Sequence, residues 1–121
     1  MASSYRGLLA WKECHKLVLD VYEATRSFPK HELYGITSQV RRAAFSAAAN
    51  IVEGSSRKGR REFRRFLDVS VASLSEVEYA LEVAKALEYI GPDAYAALEA
   101  QQRRARFLAW KLHASLREPG Q

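Results

Sequence analysis

The chain has 121 residues, is 48% hydrophobic and 27% charged, and carries a net charge of +5. That balance suits one globular domain large enough to bury a core without disulfides, and it excludes a disordered or collagen-like chain. No stretch approaches about 18 uninterrupted apolar residues, and Met1 to Arg6 has no apolar leader core, so the expected protein is cytoplasmic with no membrane partner.

A single domain is predicted from residue 8 to residue 117, between short tails at 1–7 and 118–121. The first helix is predicted from Leu8 to Arg26, with Trp11, Cys14, Leu17, Val18, Val21 and Tyr22 on one face. Cys14, the only cysteine, shares that face, so it reads as a small buried hydrophobe and cannot form a thiolate cluster. His15, His31 and His113 are scattered without ligand spacing, so no metal and no cofactor is expected. Pro29 lacks an amide hydrogen and biases Phe28 toward extended backbone, which ends the helix.

The second helix is predicted from Ile36 to Ser56, with Ile36, Val40, Ala43, Ala44, Ala47 and Ile51 as its core face. Its reverse side is also apolar at Phe45, Ala48, Ala49 and Val52, beside Arg41 and Arg42. Such a helix is either central to one bundle or a subunit contact, and the contact reading is preferred. Ser46, Asn50 and Glu53 form a polar line at the edge of the core stripe. Inward polar groups need hydrogen-bond partners. If the second and third helices turn near Arg57 to Gly59, Ser46 comes level with Ser70, and Ser73 lies about one turn further. Ser46, Asn50 and Ser70 are therefore read as a structural polar core that sets register, in preference to a catalytic group.

The third helix is predicted between Gly59 and Gly91 and carries two seams at three-four spacing. The first, Phe63, Phe66, Leu67, Ser70, Leu74, Val77, Leu81 and Ala84, belongs to the core. The second, Val69, Ala72, Glu76, Tyr79, Val83, Ala86 and Ile90, lies nearly opposite it. Two seams on one helix ask for a second partner, so an oligomer interface is expected at Phe45, Ala49, Val52, Val69, Ala72, Tyr79, Val83 and Ile90. The fourth helix is predicted from Asp93, read as its N-cap, to Arg117, with Tyr95, Leu98, Gln102, Ala105, Ala109, Leu112 and Leu116 inward. Phe107 and Trp110 fall on its outer side next to Arg103; they read as cover for a neighbouring helix rather than as base-stacking platforms. Four helices with short connections predict an all-α, up-down-up-down four-helix bundle.

Trp11-Lys12, Phe28-Pro29, Glu32 to Gly35, Gln39 to Ala43, Ser46, Asn50 to Gly54, Glu62-Phe63, Phe66-Leu67 and Ser73 to Glu76 occur in an order that resembles the four-helix-bundle family encoded in intervening sequences of bacterial 23S ribosomal RNA genes. The resemblance runs from about Leu8 to Ile90 and is most specific in QVRRAAFSAAANIVEG. The family usually has Ile-Pro where Ala47 and Ala48 stand, so a straighter second helix than in a typical member is expected, and many members have a glycine where Ala72 stands, which implies a slightly wider helix crossing here. The resemblance implies a homo-oligomeric ring, typically a pentamer, with no established enzymatic activity. It also implies kinship to the accessory variability determinant proteins of diversity-generating retroelements, basic oligomers that partner a reverse transcriptase and bind nucleic acid.

Six basic side chains, Arg57, Lys58, Arg60, Arg61, Arg64 and Arg65, face one acid, Glu62, in the predicted turn between the second and third helices. Their local excess equals the net charge of the whole chain. Arg60 and Arg61 would sit at the positive pole of a helix, where a cation is unfavourable, so local stability does not account for them. The expected function is non-enzymatic nucleic-acid binding, RNA favoured, through phosphate contacts by these residues, with Arg41 and Arg42 as candidate extensions. The alternative is an oligomeric protein-interaction scaffold, or an accessory factor for a nucleic-acid enzyme such as a reverse transcriptase. An enzyme is not expected: Glu53, Asp68 and Ser46 have no histidine at helical spacing, and no phosphate loop or nucleophile elbow is present.

Overall fold

Apolar residues at three-four spacing produce four helices in the computed structural model, which describes residues 4–117. They are α1 (Leu9–Thr25), α2 (Ile36–Ser55), α3 (Arg60–Ala86) and α4 (Pro92–Ser115), with short 3-10 turns at Tyr5–Gly7 and Lys30–Glu32. No strand occurs among the described residues. The expected tail at 118–121 lies outside them. Within the four-helix bundle, α1 and α3 each pack against both α2 and α4. The core between them comprises Cys14, Leu17, Val21, Ile51, Leu67, Leu74, Val77, Leu81, Ala105 and Ala109 among others. Burial pushes the Cys14 thiol up to about 12, with a smaller contribution from the Glu13 charge. A thiol reagent at pH 8 is therefore expected to leave Cys14 unmodified until the chain unfolds, when its pKa falls to about 8.5. Rapid labelling of the native protein would contradict this burial.

Three features differ from the sequence expectations. Of the expected tail at 1–7, residues 1–3 lie outside the described residues and Tyr5–Gly7 forms a 3-10 turn; Ser4 Oγ accepts a hydrogen bond from the Arg6 amide, and the Tyr5 ring packs edge-on against Trp11. The third helix ends at Ala86 rather than at Gly91. Glu88 takes a left-handed φ of 61°, and the amides of Glu88 and Tyr89 bond back to the carbonyls of Lys85 and Ala84. This is the Schellman closure usually made with glycine. It turns the chain inward, so Ile90, expected on the outer seam, is buried in the protein's own core. Finally, α4 starts at Pro92, capped by Gly91, and Asp93 lies inside the first turn instead of serving as N-cap. Proline suits that first position because its missing amide hydrogen has no intrahelical acceptor there.

Candidate functional site

The basic segment forms one tip of the bundle. After α2 ends, the chain reverses through Arg57 and Lys58 to Gly59, whose φ of 86° suits a residue without a side chain. Beneath this turn α2 approaches α3 closely at Gly54: a Cβ there would lie 2.8 Å from Phe66 Cβ and 2.9 Å from Phe63 Cδ1. The guanidiniums of Arg57 and Arg65 lie over the Phe66 ring, 5.1 and 5.0 Å from its centroid. Arg57 pairs with Glu53 at 3.0 Å and Arg65 with Glu62 at 3.1 Å. The hydrogen bond from Arg65, and then the charges of Arg65, Arg57 and Arg61, hold the Glu62 carboxyl below its usual range. Among the described residues no ion pair engages Lys58, Arg60 or Arg61, and all three side chains are exposed. Arg61, Arg64 and Arg65 line a shallow depression of about 620 Å³ together with Asp68 and His113, which pair at 3.0 Å.

Arg41 and Arg42 stand apart from this tip. Sixteen residues separate Arg41 from Arg57, about 24 Å along a helix. Arg41 Nε donates to Thr25 Oγ1 at 2.8 Å, and its guanidinium lies over the Tyr22 ring, so it clamps α2 to the end of α1. Arg42 shares with it a second depression, lined also by Tyr22, Ser46, Ser73 and Glu76.

The polar line is one helical step from the expected register. Ser73, not Ser70, reaches Ser46, its Oγ donating to Ser46 Oγ at 2.9 Å. Ser70 Oγ donates to the Ala47 carbonyl at 2.8 Å, and Asn50 Nδ2 donates to the Ser46 carbonyl and hydroxyl. Glu53 turns to solvent and Arg57 instead.

On the outer seam Phe45 is 61% exposed, Tyr79 68% and Val69 44%. Ala72 is exposed, while Ala49, Val52 and Val83 are half-buried. Ala48, expected outward, is buried because the α2 interface is broader than one stripe. Ala72, Tyr79, Ala80 and Val83 line an apolar groove of about 600 Å³ with Ile36 and Gln39 of α2. Phe107 and Trp110 lie on the outer side of α4, as expected, and within this chain they remain 56% and 53% exposed, with ring centres 6.4 Å apart and planes 26° from parallel. The sequence did not reveal the Phe66 platform, whose cations come from either side of the turn, nor the close approach at Gly54.

Among the described residues no group of three histidine, cysteine, aspartate or glutamate side chains is arranged to hold a metal ion. No helix there is long and apolar enough to cross a membrane. The sequence pattern described as 23S rRNA-intervening sequence protein matches residues 6–108. A similar solved structure, from Bacteroides thetaiotaomicron, is described as a protein of unknown function from the S23 ribosomal protein family. It is 19% identical, with a TM-score of 0.80 over 88% of this chain and 96% of that one, so the likeness concerns the fold alone. No curated protein matches the chain.

Proposed function

The chain belongs to the 23S rRNA-intervening sequence protein family, and from that premise we propose a non-enzymatic, oligomeric bundle that binds nucleic acid, RNA favoured, through the tip between α2 and α3. In this reading the helices run up-down-up-down and the subunits close into a ring, a pentamer by family resemblance, in the cytoplasm. The observation that carries the proposal is the tip itself: Lys58, Arg60 and Arg61 are exposed and, among the described residues, make no ion pair, beside further arginines. Cations left in that state can exchange bound counterions for phosphates, which gives salt-sensitive binding with little sequence discrimination.

The test is titration of the purified protein with single-stranded RNA, duplex RNA and duplex DNA at about 50 and 200 mM salt. Four phosphate contacts would give a slope of about −3 in log affinity against log salt on single strands. No binding at the lower salt would sink the proposal and favour a protein scaffold.

The exposed Phe45, Val69 and Tyr79, the last of them lining the α2–α3 groove, support self-association. Tyr79→Asp and Val83→Asp are each expected to reduce the native mass measured by light scattering, because an aspartate in an apolar contact is left unpaired. A wild-type mass equal to one chain at micromolar concentration, or an unchanged mass in both variants, would remove the interface.

A further inference from the structure

We infer that the basic tip continues along the α3–α4 face into an aromatic subsite, Trp110 with Phe107, that takes unpaired bases, so that the preferred ligand is single-stranded. This inference rests on the nucleic-acid reading of the tip. Trp110 and Phe107 present half-exposed, near-parallel rings at the edge of a groove of about 670 Å³ lined also by Val71, Arg103, Arg104 and Arg106. Lys111 Nζ lies 5.7 Å from the Phe107 ring centre.

The groove and the depression at the tip are separate but lie on the same two helices, α3 and α4. Arg64 and Arg65 share a depression with His113, and His113 lies one helical turn from Trp110. Along α3, Arg64 and Val71 are separated by two turns, about 10 Å. A strand whose phosphates meet Arg61, Arg64 and Arg65 therefore finds aromatic surface within reach. The arginines of the groove are tied to acids, Arg103 to Glu99, Arg104 to Glu13 and Arg106 to Glu78, which leaves the rings as its main unsatisfied surface. Aromatic faces accept any base, but bases inside a duplex are already stacked and do not reach a flanking ring without being extruded. The tip thus supplies charge for either form, and the rings distinguish them.

The probes are a fluorescein-labelled oligouridylate and an RNA duplex of matched length, measured with wild type, Trp110→Ala/Phe107→Ala and Trp110→Leu/Phe107→Leu. Both double variants should lose at least about tenfold in oligouridylate affinity, with duplex affinity and salt slope unchanged. In a Trp11→Phe background, oligouridylate should quench the remaining Trp110 emission. Equal losses for both probes, full affinity in the leucine variant, or no quenching would overturn the aromatic subsite. If these occurred while salt-sensitive binding persisted, the tip reading would stand. Failure of every probe to bind would remove both. A native mass reduced by the leucine variant would assign the rings to subunit contact and also overturn the inference.

Discussion

Replacement of Arg60, Arg61, Arg64 and Arg65 by glutamate is expected to abolish RNA retention while leaving the bundle folded. Four charges change from +1 to −1, which takes the Arg57 to Arg65 segment from +5 to −3. Loss of four phosphate contacts alone weakens binding on the order of a thousandfold at 0.1 M salt, before repulsion by the new carboxylates is included. None of the four belongs to the buried core. Stability should change little: acids at positions 60 and 61, in the first turn of α3, are favoured by its dipole, which offsets the loss of the exposed Arg65–Glu62 pair and of the Arg65 contact with Phe66. Filter retention and a thermal melt on the same samples provide the decision. Lost retention with a little-changed melting temperature marks residues that serve binding and not the fold. Full retention would exclude the tip as the site.

Gly54 gives the largest expected effect on stability. Helix propensity alone predicts that Gly54→Ala stabilises α2 by about 1 kcal/mol. The added carbon, however, meets Phe66 Cβ at 2.8 Å, an atom fixed to the α3 backbone, as well as the edge of the Phe63 ring. Phe63 can rotate away, whereas Phe66 Cβ moves only if α3 moves. Crowding of this kind costs about 1–3 kcal/mol. Gly54→Ala should therefore be net destabilising by about 1 kcal/mol, and Gly54→Val, with two more methyl groups, by about 3 kcal/mol. Displacement of α3 would also stretch the nearby bond from Ser70 to the Ala47 carbonyl. Urea unfolding measures both variants, and an alanine variant more stable than wild type would show that the helices have room to part.

Much of the fold was legible because its signals are periodic. Leu67, Leu74, Val77, Leu81 and Ala84 could be assigned inward from spacing alone, and all are buried. What escaped depends on tertiary geometry or on unusual backbone. Glu88 closes α3 in a conformation that normally announces itself by glycine, so periodicity alone carries the helix one turn too far and puts Ile90 outside. The Ser46 register differs by about one turn from the sequence expectation because the length of the turn after α2 fixes which serine arrives opposite. Phe107 and Trp110 lie on the outer side of α4, as their spacing predicts; how much of each ring a neighbouring helix covers depends on packing that periodicity does not carry. The charge of the tip was plain in the sequence. The distance of Arg41 and Arg42 from it follows from helical rise, but the clamp on Thr25 and Tyr22 required the fold.

Side-chain cross-links hold α3 and α4 against each other, three of them being His113 with Asp68, Gln102 Nε2 with the Leu74 carbonyl, and Arg106 with Glu78. A slip of one turn would break all three and leave the buried Gln102 amide without its acceptor. The tip and the aromatic pair are consequently fixed relative to each other, like two marks on a rigid gauge. Ligand length then becomes the variable that matters. As an oligonucleotide is lengthened one unit at a time, affinity would rise in a step at the length that first reaches both marks, rather than as a smooth slope.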